Sequence, residues 1–148
     1  MAGADLTMTG FYEAYKPIFD AVEAQIKTKT SIKTVIVGEK FTLGNYPKAV
    51  INAEPSDDIS QGAFGPLLEV LVRFSVILVI REYEPEDWFD DVIKVMCDVV
   101  DSVLAERTLN GHAKDCCLMG FAPGEIKFQD KLLYGGSIRF KAVLLYEP

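Results

Sequence analysis

The chain is poor in the residues that most often carry catalysis and metal binding. It has one histidine, His112, and three cysteines, Cys97, Cys116 and Cys117, in 148 residues. A Ser-His-Asp or Cys-His arrangement would have to use His112, and Asn110-Gly111-His112 reads as a surface turn with no pocket signature. The cysteines lack metal-ligand spacing and form no evident disulfide framework, so they read as buried free thiols of a reducing compartment. Cys116 and Cys117 would point to opposite faces if they lie in a strand. Cations are outnumbered: 15 Lys and Arg against 22 Asp and Glu leave a net charge of −7. That disfavours adhesive nucleic-acid binding, which needs clustered Lys and Arg.

Other absences narrow the field further. Gly120-Phe121-Ala122-Pro123-Gly124 has no following Lys-Ser/Thr, and Gly135-Gly136 leads into a strand, so neither is a phosphate loop. Asp57-Asp58 lacks the alternating oxygen ligands of a calcium loop. Glu82, Glu84, Glu86, Asp87, Asp90 and Asp91 are what a helix start attracts for its dipole alone. No catalytic, cofactor-binding or metal-binding residue is therefore assigned, and the chain does not read as an enzyme. The N-terminal MAGADLTMTG has neither a basic n-region nor an apolar h-region, so no signal peptide is visible. Arg73 interrupts the longest apolar run well short of the ~20 residues of a spanning helix.

What is present is a strand of unusual length. Within Leu67–Tyr83, LLEVLVRFSVILVIREY, the even positions Val70, Val72, Phe74, Val76, Leu78 and Ile80 are all apolar. The odd positions mix Leu71, Ile77, Val79 and Tyr83 with Glu69, Arg73, Ser75 and Arg81. Period-two alternation in β-branched residues specifies a strand with one core face. Strands average about 5–6 residues, so this one is expected to protrude in part and to meet another chain.

Around it, Phe11, Tyr15, Ile18, Phe19, Val22 and Ile26 predict an amphipathic helix over about 9–28, with Pro17 marking a start or a kink. Thr34–Glu39 and Lys48–Ala53 read as short strands about the Gly44-Asn45-Tyr46-Pro47 connector. Residues 54–66 read as a long loop, and 1–8 as flexible. Pro85 ends the long strand and opens a second helix reaching about Arg107, with a wide apolar stripe that includes Trp88 and Phe89. Asn110-Gly111 reads as the helix exit. Cys116–Phe121 and Ser137–Tyr146 read as strands, with 125–128 and 132–134 as a hairpin-like extension jointed at Gly135-Gly136. The order α-β-β-β-α-β-β defines a single α+β domain, residues 1–148, with two helices on one face of an antiparallel or mixed sheet.

This order resembles the tail-terminator and tail-completion proteins of long-tailed bacteriophages and proviruses, which join head to tail. The likeness rests on Glu106-Arg107-Thr108-Leu109-Asn110-Gly111 after the second helix, on Gly120-Phe121-Ala122-Pro123-Gly124-Glu125 in the next strand, and on Tyr134-Gly135-Gly136 before the last. It implies a virion structural protein, assembled in the host cytoplasm, that forms a homo-oligomeric ring, a hexamer by resemblance, on the tail tube. The implied partners are other copies of itself and the tail-tube and head-neck proteins. DNA at most passes through the channel without sequence-specific binding, and no membrane is involved. Another neck or head-completion protein, or a soluble oligomeric module binding a small ligand, are the alternatives. Candidate subunit contacts are Ile59, Phe64, Leu71, Arg73, Ile77, Val79, Arg81 and Tyr83.

Overall fold

Residues Phe11–Lys29 form helix α1, whose apolar positions recur every three or four residues and bury Ile18, Phe19, Val22 and Ile26. The computed structural model describes residues 10–32, 34–38, 46–56, 59–61, 67–82, 88–128 and 131–147. Helix α1 is followed by β1 (Thr34–Val37), β2 (Lys48–Ala53), β3 (Ile59–Gln61) and β4 (Leu68–Glu82). Helix α2 (Trp88–Leu104), β5 (Asp115–Phe128) and β6 (Lys131–Tyr146) complete the chain. The fold is α+β, as expected from the sequence. Pro17 lies inside α1 and neither starts nor ends it. The expected flexible 1–8 and the Pro85 helix start lie outside the described residues.

The sheet runs β1-β2-β4-β6-β5, with β3 beside the first residues of β4. Among the described residues only β1 and β2 pair in parallel, which makes the sheet mixed. Every even residue of β4 from Val70 to Ile80 is buried. They face α1 and α2 together with Ile138, Phe140, Ala142 and Leu144 of β6. An aromatic ladder crosses this core. Tyr15 meets Phe19 at 5.1 Å, Phe19 meets Phe74 at 5.8 Å, and Phe74 stacks on Phe140 at 5.3 Å.

Three expectations about the strands are corrected. β4 does not protrude: its 15 residues are paired with β6 along nearly their whole length, and β2 and β3 flank the other side. The expected loop 54–66 contains β3, because Ile59 takes a cross-strand place opposite Val70. The expected pairing of 125–128 with 132–134 does form, as the turn end of two long strands, β5 and β6, but Gly135-Gly136 is no joint. Both glycines lie inside β6 where neighbours approach too closely for a side chain. A Cβ on Gly135 would stand 1.8 Å from the Leu78 carbonyl oxygen, and one on Gly136 would stand 2.7 Å from Met96 Cε. The second gap lets α2 settle onto the sheet.

Helix α2 ends at Leu104, with Val92, Met96, Val99 and Val103 buried. It has no basic residue in its last turn. Gln25 of α1, itself buried, donates from Nε2 to the carbonyls of Ser102 (2.9 Å) and Val103 (2.8 Å), so the first helix caps the second. Leu109, Asn110 and Gly111 then take positive φ angles of 50°, 60° and 83°. Asn and Gly tolerate this region; Leu109 is held there with its side chain fully buried. The Ala113 amide closes the turn on the Thr108 carbonyl at 2.9 Å.

Candidate assembly surfaces

Both helices pack on one face of the sheet, so its other face, its edges and the outer sides of the helices are the surfaces left to contact a partner. The second face divides in two. Near the Gly135 end, Lys48, Val50, Val79 and Leu133 are buried. Near the other end, Leu71, Arg73, Lys141 and Val143 are only half-buried, and Arg139 and Leu145 are exposed.

The register fixes how these side chains lie. Leu71 is opposite Val143, Arg73 opposite Lys141, and Ser75 opposite Arg139. The apolar patch Leu71, Val143 and Leu145 therefore adjoins three cations on neighbouring strands. Glu54 and Arg73 line one small recess with Arg139 and Met119. Arg139 reaches across Gly120 of β5, where a Cβ would stand 2.8 Å from its Nε. Among the described residues, Arg139 and Lys141 take part in no ion pair.

The second surface is the edge strand β5. Edge strands expose unpaired backbone groups and are ready templates for association unless charge, proline or a bulge blunts them. Here a bulge falls at Met119, between the pairs Leu118–Phe140 and Gly120–Arg139, and Pro123 removes one donor. The stretch before Pro123 is nonetheless apolar: Leu118, Met119 and Phe121 are each about two-fifths exposed. Leu118 and Phe121 lie on the helix side of the strand. With Cys97, Val100 and Asp101 of α2 they line an open groove of about 280 Å³.

Of the residues singled out from the sequence, Ile59 is exposed on β3, at the opposite side of the sheet from β5. Leu71, Arg73 and Ile77 lie half-buried on the second face. Val79 is fully buried within its own subunit, hemmed between Lys48 of β2 and Gly135 of β6, so it is no contact residue. Arg81 lies in β4 beyond a register shift; Phe64 and Tyr83 fall outside the described residues. Phe89, counted in the apolar stripe of the second helix, is half exposed. Leu118, Met119 and Phe121 were missed, since nothing in their local pattern marks β5 as the edge.

His112 is exposed in the turn before β5. The three cysteines are free. Cys97 is exposed, against the expectation of burial, because it lies on the outer side of α2. Cys116 and Cys117 do face opposite sides of β5. Burial pushes the Cys116 thiol up to about 12, with the neighbouring Cys117 and Asp115 adding to the rise. A native-state thiol label at pH 8 should therefore modify Cys97 readily and Cys116 only on unfolding, as peptide mapping would read. This raised value also has a stability consequence: the neutral Cys116 favours the fold below about 9, and that contribution is lost as pH rises towards about 12.

No protein-family model matches this chain, and no curated protein sequence matches it. Among the described residues, no group of three or more His, Cys, Asp or Glu could hold a metal ion, and no helix is long and apolar enough to cross a membrane.

Proposed function

We propose that the chain is a structural subunit of a phage-type virion, resembling the tail terminators, that assembles into a ring on the tail tube and joins it to the head. The observation that carries this reading is the β5 edge, where Leu118, Met119 and Phe121 stand exposed beside an apolar groove. Clustered apolar side chains at an incompletely blunted edge mark an interaction site. Such a subunit works through its surfaces, by self-association and by seating on the tube and neck proteins. DNA passes its channel without a sequence-specific contact.

The test is oligomeric state by light scattering and native mass spectrometry, with negative-stain images for annuli. The wild-type chain should form a closed oligomer, alone or with its tube protein. The double substitution Leu118→Asp and Phe121→Asp should shift it towards monomer, with unchanged circular dichroism. A chain that stays monomeric at every concentration, with and without tube protein, is not a ring subunit. A small molecule recovered in tight, stoichiometric complex would favour a ligand-binding module instead.

A further inference from the structure

An edge strand holds its backbone N–H and C=O groups in two alternating sets, one turned towards its neighbour and one turned outwards. At Cys116 of β5 the hydrogen bonds show which set is which. Its N–H donates to Asp115 Oδ1 at 2.9 Å, and its carbonyl accepts from Arg107 Nε at 3.2 Å. Both groups are therefore turned away from β6. Arg107 Nη2 closes the arrangement by donating to Asp115 Oδ2 at 2.8 Å. One guanidinium and one carboxylate thus supply Cys116 with the donor and the acceptor that a further antiparallel strand would bring.

Pro123 gives an independent check on these directions. A proline within a sheet sits where its missing N–H would face outwards. Cys116 and Pro123 are an odd number of positions apart, so in a regular strand they would face opposite ways. The extra residue at Met119 turns them the same way. Leu118 and Phe121 then face outwards too, between one stop at Cys116 and another at Pro123. Past Pro123 the exposed Glu125 and Lys127 put charge on the same edge, which also discourages pairing.

We infer that the Arg107–Asp115 pair is an edge guard. It occupies the outer backbone groups of Cys116 and so refuses pairing by the β5 edge of a second copy at the start of the strand. Pairing is left to the apolar stretch 118–121. Both side chains of the pair are about half exposed, and ion pairs in such settings stabilise a fold little, so the effect of this one lies in what it blocks. The turn after α2 positions it: Leu109, buried at positive φ, and the Ala113 amide on the Thr108 carbonyl bring Arg107 back beside Asp115. The guard concerns pairing that the edge refuses, and it holds whether or not the subunit closes into a ring.

Amide exchange by NMR and light scattering over a concentration series test this on the wild type, Asp115→Ala, Arg107→Ala and Asp115→Asn. In Asp115→Ala the Cys116 amide should exchange at least about tenfold faster than in the wild type. Asp115→Ala and Arg107→Ala should each form species larger than the wild-type assembly at a protein concentration at least about threefold lower. Asp115→Asn keeps an oxygen for the Cys116 N–H and should lie closer to the wild type. Unchanged circular dichroism and thermal melts verify the folds. Equal exchange of the Cys116 amide in the wild type and Asp115→Ala overturns the guard, and so do folded alanine variants that associate as the wild type does. An Asp115→Asn variant as prone to associate as Asp115→Ala overturns it as well, because charge and not occupation of the backbone would then be at work. A wild type monomeric with and without its tube protein overturns the ring reading alone; the comparison with the alanine variants still decides the guard.

Discussion

Gly135→Ala should lower the melting temperature more than alanine at any other glycine among the described residues. The new Cβ would be placed 1.8 Å from the Leu78 carbonyl oxygen and 2.7 Å from its carbon. Both are backbone atoms of the central strand, so no side-chain rotation relieves the clash. Either β6 moves off β4 or the ladder breaks at this point. Overpacking on this scale costs about 3 kcal/mol or more, which is a fall of roughly 6–12 °C for a chain of this length. Gly124, its register partner on β5, is the internal control. A Cβ there meets nothing within 4 Å, so Gly124→Ala should melt close to wild type. Equal melting of the two variants would show that the close approach of β4 and β6 is not a constraint.

Phe74→Ala should be comparably severe for the opposite reason. Phe74 is fully buried at the middle of β4, stacked on Phe140 and in edge contact with Phe19 of α1. Truncation removes its transfer energy and leaves a cavity between the sheet and a helix, both of them rigid. Phe-to-Ala changes in such settings cost about 3–5 kcal/mol. Phe74→Leu keeps most of the apolar volume and should recover much of the loss. What it does not recover is the ring contact, worth about 0.5–1.5 kcal/mol. Urea denaturation of the three proteins would separate the two terms. A Phe74→Ala variant within 1 kcal/mol of wild type, as a rough limit, would mean that the ladder is not central to the core.

Much of the architecture was legible in the sequence. The even face of β4 was identified as core residue by residue, because a side-chain period of two is a local property of an extended chain. The first helix was placed to within two residues at each end for the same reason at a period of 3.6. Gly135-Gly136 was misread. A glycine pair reads as a flexible joint when only its own backbone freedom is considered, whereas here glycine is required by the carbonyl of Leu78, 57 positions away in the chain. The edge strand was misread too. The bulge at Met119 breaks the alternation of β5, and the strand was read over Cys116–Phe121 with 125–128 set apart from it, whereas it runs unbroken from Asp115 to Phe128.

The assembly surfaces show the same division. The sequence marked Leu71, Arg73 and Ile77 as a mixed face, and they do lie on the side away from the helices. It also put Val79 in that set, and the fold buries Val79 because β2 and β6 close in on both sides. From the sequence, the length of β4 suggested an exposed, protruding strand. The opposite holds: β4 is central, and the exposed long strand is β5.

The sequence by itself determined the core side of α1 and the even-numbered core face of β4, since that follows from periodicity along a single segment. Only the tertiary structure decided which strand is an edge, and with it which apolar residues are left for a partner. Strand order depends on hydrogen bonds between backbone N–H and C=O groups, which are nearly the same at every non-proline residue and therefore carry little mark of their partner in the local sequence. The long strand at 68–82 was visible from its side chains; its place at the centre of the sheet was not.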